Sequence, residues 1–190
     1  MEKLIEQAFS VSRLHLAESL PRRWSHVLGC ADRARIAADA LLDEVDSITL
    51  VSAAVLHDIG YAPSIARTGM HALDGARFLQ QIEITDRVCA LVAHHSCAYL
   101  EAELRGLSAE LGVWSDEQSV LRDALWWADM TTTPDGGVTT VHDRIAEIRE
   151  RYGPKDLVSF FIKQASRELI AAVERTEERL RMAGIDYAVK

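Results

Sequence analysis

Three shortages narrow what this chain can be. Cysteine is scarce: Cys30, Cys89 and Cys97 make an odd set with no Cys-x-x-Cys pair. That fits reduced thiols better than a disulfide framework, so the expected compartment is the cytoplasm. Long apolar runs are missing as well. Nothing approaches the roughly 18 apolar residues of a membrane span. The opening Met1-Glu2-Lys3-Leu4-Ile5-Glu6-Gln7 carries acids where a secretory leader needs a basic start and an apolar run, so no membrane partner is expected. The third shortage is positive charge, with 21 Lys and Arg against 29 Asp and Glu and a formal net charge of −8 at pH 7. Binding a nucleic acid polymer rests on a basic surface that neutralises phosphates, so that partner is not expected either. A small phosphorylated ligand stays open, because a bound metal can supply positive charge locally.

What remains is enough apolar material for one good core: 48% of 190 residues are hydrophobic. A single domain over 1–190 follows. Apolar residues recur at spacings of three and four, predicting short helical turns at 2–9 and 12–19 and a helix from Pro21 to about 42. The next helix carries Ile48, Leu50, Val51, Ala54 and Val55, with Asp46 or Ser47 as its cap and Gly60 as its stop. Further helices are predicted at 70–82, from Asp86 to His94-His95, and around Tyr99 to Leu104. Segment 107–116 reads as irregular. Helices at 117–130, 139–151 and 155–183 complete the chain. Thr131-Thr132-Thr133-Pro134-Asp135-Gly136-Gly137 is the strongest turn signal and, directly after the 117–130 helix, the best loop for contacting a ligand. No repeat and no convincing period-two strand occurs, so the predicted fold is all-α.

The chemistry gathers at helix ends. Ala53-Ala54-Val55-Leu56-His57-Asp58-Ile59-Gly60-Tyr61 runs apolar residues up to an imidazole and a carboxylate, and buried polar groups must be paired or bind a metal. Adjacent residues on a helix diverge by about 100°, so His57 and Asp58 converge on one ion only where the helix ends. His94-His95 and Asp129 end two further apolar helices, and His26 and His71 lie near the starts of others. Histidine nitrogens with carboxylate oxygens suit iron, manganese, cobalt, zinc or magnesium. No cysteine is expected to join the set, which argues against a structural zinc site. His15 and His142 stand outside the pattern, and Trp126-Trp127 reads as core packing.

The order His26, then His57-Asp58, then Asp129 resembles the HD-domain superfamily of metal-dependent phosphohydrolases over roughly residues 20–135. The resemblance implies a helical bundle with a metal site in its core, followed by C-terminal helices over 136–190. His71 and His94-His95 lie between His-Asp and the last aspartate, as in HD proteins that bind two ions. Arg23-Trp24-Ser25-His26-Val27-Leu28-Gly29 is similar to the Arg-x-x-His-x-Leu-Gly opening of the bacterial HD-domain diadenosine tetraphosphatases. By that similarity His26, His57, Asp58 and Asp129 hold one ion and His71 with His94 or His95 the second, with Asp58 bridging. Two departures stand out. Many two-metal HD proteins carry a lysine at the third position after His-Asp, where this chain has Tyr61. No Gly-Tyr-Pro motif follows His94-His95, which speaks against cyclic-dinucleotide cleavage.

The implied reaction is hydrolysis of a small phosphoester or nucleotide. A divalent ion lowers the pKa of bound water and polarises phosphoryl oxygens, and two ions can hold both nucleophile and phosphate. Asp58 and Arg23 are the expected catalytic residues. Arg23, three residues before His26, shares its face on a helix, and Arg22, four before, is a second phosphate candidate. Tyr61, Arg67 in the loop after His-Asp, and Thr133 complete the expected substrate contacts. Two rivals use the same residues. One is an HD-type di-iron oxygenase. The other is a non-catalytic nucleotide- or metal-sensing domain that signals through the last helix, whose apolar stripe also fits a homodimer.

Overall fold

The computed structural model describes residues 2–187, and within them regular structure is entirely helical. The helices are α1 (Glu2–Leu16), α2 (Pro21–Leu41), α3 (Glu44–Leu56), α4 (His71–Gln81) and α5 (Asp86–Ala93), then α6 (Ala98–Arg105), α7 (Ser108–Leu111), α8 (Val120–Met130), α9 (Val141–Tyr152) and α10 (Leu157–Met182). Two 3-10 turns, Ile59–Tyr61 and His95–Cys97, follow α3 and α5.

The centre is α3. Every residue from 49 to 60 is buried, so beyond its first turn this helix has no solvent face and must be wrapped on all sides. Helices α2 and α8 flank it, α1 and α5 cover it, and α10 runs along α8 and α9. Leu50, Leu56 and Ile59 are wholly buried, and each such side chain contributes on the order of 2 kcal/mol by leaving water.

Several local expectations shift. No proline or glycine separates the two turns expected at 2–9 and 12–19, and they form one helix, Glu2–Leu16. The cap of α3 is Asp43, whose carboxylate accepts from the Asp46 amide at 2.9 Å, so the helix begins before Asp46 and Ser47. Segment 107–116 holds the single helical turn of α7. Trp126 and Trp127 are both wholly buried, because α8 is enclosed on opposite faces, with the Arg122 and Arg33 guanidinium groups 3.8 and 3.9 Å from their rings.

Gly60 acts otherwise than as a left-handed helix stop. A side chain there would meet the His71 carbonyl oxygen at 1.9 Å and the Gly75 amide at 2.6 Å. Its role is close approach: the turn after α3 lies directly on the first turn of α4, which carries His71 to Asp58. Gly29 and Gly136 do the same elsewhere. A Cβ on Gly29 would strike the Gly136 carbonyl oxygen at 2.4 Å, so only glycines let the loop after α8 sit against α2.

Candidate metal centre

Helix ends supply most of the donors, as side-chain divergence on a helix requires, while His26 and Cys30 lie one turn apart within α2. At the end of α3, His57 keeps helical backbone angles while Asp58, at φ −99° and ψ 7°, leaves the helix and re-aims its carboxylate. After α5 the chain makes a harsher turn: Ser96 and Cys97 both adopt left-handed angles, φ 48° and 62°. Two consecutive non-glycine residues there cost of order 1–3 kcal/mol each. The turn brings the Ser96 hydroxyl to donate to Asp129 Oδ2 at 2.5 Å.

The result is two adjoining donor groups. The ligand-type atoms of His26, Cys30, His57 and Asp129 all lie within 4.8 Å of one another, and so do those of Asp58, His71 and His95. Asp58 faces both. Its Oδ2 is 3.4 Å from His57 Nε2 and 3.7 Å from His26 Nε2, while its Oδ1 is 3.5 Å from His71 Nε2. His26 Nε2 also lies 3.2 Å from Asp129 Oδ1. His71 and His95 point their Nε2 atoms at each other across 3.0 Å.

Three rings are oriented by the backbone. His57 Nδ1 lies 2.7 Å from the Ala54 carbonyl, His95 Nδ1 2.6 Å from that of Val92, and His26 Nδ1 3.0 Å from that of Thr133. A carbonyl only accepts, so each Nδ1 carries the proton and each Nε2 presents a lone pair to the centre, the arrangement that orients metal-binding histidines. His57 Nε2 is buried and makes no hydrogen bond. An orphaned buried nitrogen facing two carboxylates is what a cation would satisfy. The residues therefore fit divalent metal ions.

Electrostatics point the same way. Burial alone would raise Asp58 and Asp129, yet Arg23 and His57 hold the first, and His26 and His57 the second, far below the ordinary carboxylate range. Burial pushes His57 down, but the charges of Asp58 and Asp129 outweigh it and lift it to about 9. Burial lowers His26, His71 and His95, helped at His71 by His95 and at His95 by His57. Two ionised carboxylates thus lie among three imidazoles that resist taking protons, His26, His71 and His95, and a fourth, His57, that their charge disposes toward a cation or a proton.

The expected site residues divide cleanly. His26, His57, Asp58, His71, His95 and Asp129 come together. His94 does not, because its Nε2 is engaged by the Trp114 carbonyl at 2.7 Å. Arg23 joins, donating to Asp58 Oδ2 at 2.6 Å with its guanidinium 3.9 Å from the Tyr61 ring. Tyr61 in turn stacks on His71 at 4.0 Å, so where a lysine was looked for, an aromatic ring braces a ligand histidine and an arginine. Arg22 is turned outward into a bidentate pair with Asp135 at 2.7 and 2.9 Å. Arg67 is spent on the carbonyls of Ala66 and Ser64, and its backbone amide on Asp74. Thr133 meets the centre only through its carbonyl on His26, its hydroxyl accepting from the Gly137 amide.

Three participants were not foreseen. Cys30, fully buried one turn after His26, brings its sulfur within 3.4 Å of His26 Nε2, so the expectation that no cysteine joins the set is corrected. The i, i+4 spacing from His26 was the available signal. Ser96 had none, because its reach depends on left-handed backbone. Arg144, from α9, lines the cavity in front of the centre and helps hold Asp129 ionised.

No helix among the described residues is long and apolar enough to cross a membrane. Neither a curated protein nor a solved structure matches the chain. Residues 23–148 do match a family, the HD domain, and the match runs from α2 into α9, past the 135 expected for the core. It takes in both donor groups and covers more than half of the sequence, and the chain belongs to the HD domain family.

Proposed function

We propose that this protein is a metal-dependent phosphohydrolase acting on a small phosphoester or nucleotide with two divalent ions. The observation that carries the reading is the division of Asp58, with one oxygen toward His26 and His57 and the other toward His71. His26, His57 and Asp129 would hold one ion, with the Cys30 sulfur beside it. His71 and His95 would hold the second, and Asp58 would be shared. Bound there, divalent ions polarise a phosphoryl group and make water acidic enough to act as a nucleophile near neutral pH.

The chain's own residues do the rest. Carbonyls of Ala54, Val92 and Thr133 fix three imidazole tautomers, and the Ser96 hydroxyl fixes the Asp129 carboxylate. Arg23 borders the cavity and can trade its hydrogen bond to Asp58 for a phosphate oxygen. Tyr61 holds that guanidinium over the site.

Purified protein supplied with manganese, cobalt or iron should release nitrophenol from nitrophenyl phosphate esters, with about two ions per chain by elemental analysis. Asp58→Ala should abolish turnover and reduce bound metal. Equal turnover by that variant would assign the activity to a contaminant. The tetraphosphatase likeness rests on the Arg23 to Gly29 motif, and a diadenosine polyphosphate is one substrate to include.

The same six imidazole and carboxylate donors also suit a di-iron oxygenase. Oxygen uptake by anaerobically iron-loaded protein, without phosphate release, would favour that second reading.

A further inference from the structure

A cavity of about 290 Å³ opens in front of the donor groups, and its far wall is unlike its near one. The near wall is Asp58, His71, His95, Asp129 and Arg23. The far wall comes from α9, within which the family match ends at residue 148, and from α10, which lies beyond it. Helix α9 presents Arg144, Ile148, Arg151 and Tyr152 to the cavity, positions i, i+4, i+7 and i+8, so one helix face alternates cations with apolar groups. Helix α10 adds Phe161 and Ile162.

Arg144 is the unusual member. Its side chain is only 4% exposed, yet its one carboxylate partner is Glu147, at 2.5 Å, and its Nε is buried without a hydrogen bond. Glu147 is also shared, with its other oxygen 3.4 Å from Arg151 Nε. One carboxylate therefore serves two guanidinium groups, and a buried cation with an open donor calls for an anion. The remaining cations of the cavity are already matched, Arg23 by Asp58 and Arg105 by Glu101 at 2.7 Å.

We infer that Arg144 and Arg151 form a second anion subsite, so that the ligand is an organic phosphate with two anionic groups. One group faces the ions. The other lies on the two arginines, and a planar or apolar body rests against Ile148, Tyr152 and Phe161. The inference rests on the phosphohydrolase reading only for which end of the ligand reacts. A volume near the low end of small-molecule pockets encloses a moiety the size of one nucleotide.

Calorimetry on the manganese-loaded protein with four probes tests this: inorganic phosphate, pyrophosphate, AMP, and ADP with a methylene bridge between its phosphorus atoms, which resists hydrolysis. Bridged ADP should bind at least about tenfold tighter than AMP, the scale of charge-assisted pairing to an arginine. It should also bind tighter than pyrophosphate, reflecting the body. Arg144→Gln and, independently, the part-exposed Arg151→Gln should bring the ratio of bridged ADP to AMP close to one. A wild-type ratio near one overturns the inference. So does a full ratio in a folded Arg151→Gln protein, or a loss of affinity equal for all four probes, which would mark Arg144, Glu147 and Arg151 as a structural ladder. If nitrophenyl phosphate is never hydrolysed but the ratio and its loss are seen, the subsite stands and the hydrolase reading falls.

Discussion

Helix α8 carries two buried carboxylates six residues apart, and the chain treats them in opposite ways. Asp123 receives a bidentate pair from Arg175 at 2.7 and 2.8 Å and a third bond from Arg179 at 2.9 Å, all from α10. Asp129 receives a serine hydroxyl, lies 3.2 Å from His26 Nε2, and faces another imidazole whose Nε2 has no partner. The first charge is neutralised by permanent cations, so it fastens one helix to another. The second has its arginine, Arg144, only at longer range, with imidazoles and a hydroxyl close by, surroundings that suit a bound cation. Both are buried, and the partners separate a strut from a candidate ligand.

The largest expected effect breaks the second arrangement. Asp129→Asn should lower phosphoester turnover about a thousandfold, the rate equivalent of several kcal/mol of lost Lewis-acid stabilisation. Metal content should fall with it. A folded variant with full metal and full rate would refute the assignment.

Asp123→Asn should do the reverse, leaving ion content intact and costing roughly 1–3 kcal/mol in urea denaturation, the range for hydrogen bonds to charged groups. Its pH dependence has a definite sign. Burial raises Asp123, but Arg175 and Arg179 outweigh it and hold the folded carboxyl below its ordinary value. Its contribution is therefore present above the unfolded pKa and lost as pH falls through the folded one. The stability gap between wild type and Asp123→Asn should be full near neutrality and close in acid below about pH 4. A gap that persists there would mean the pair acts through packing.

The neighbouring histidines sharpen the contrast. His95→Ala should weaken metal binding by about 10- to 100-fold or more, read by competition with a chelator. His94→Ala should retain the metal and lose about 1 kcal/mol with its hydrogen bond to Trp114. The smallest effect is expected for Ser96→Ala, about tenfold in metal affinity through a loosened Asp129. It should also come with little change in stability, because the strained turn after α5 no longer has a bond to hold.

Much of this was legible without coordinates. Helices with period-3.6 apolar faces announce themselves, so α2, α3, α4, α8 and α10 fell within a few residues of expectation. His26, His57, Asp58, His71, His95 and Asp129 were legible because ligand-type residues at the ends of apolar helices have few other reasons to be there. The choice between His94 and His95 was not, since adjacent residues carry the same local signal and only the Trp114 carbonyl, 20 positions away, distinguishes them. Spacing from His26 put Arg23 ahead of Arg22 as a phosphate contact, and the structure separates them further, Asp135 drawing Arg22 outward and Asp58 drawing Arg23 inward.

The sequence by itself determined a helical chain in which an apolar helix runs into the interior and must satisfy a histidine and an aspartate at its end. Those are consequences of periodicity and of the cost of burying polar groups. Only the tertiary structure decided which nitrogen of each imidazole is free, that Cys30 and Ser96 stand at the centre, and that α9 brings Arg144 to the cavity. Such facts depend on carbonyls, glycine contacts and helix faces from distant parts of the chain, and no local pattern records where those will meet.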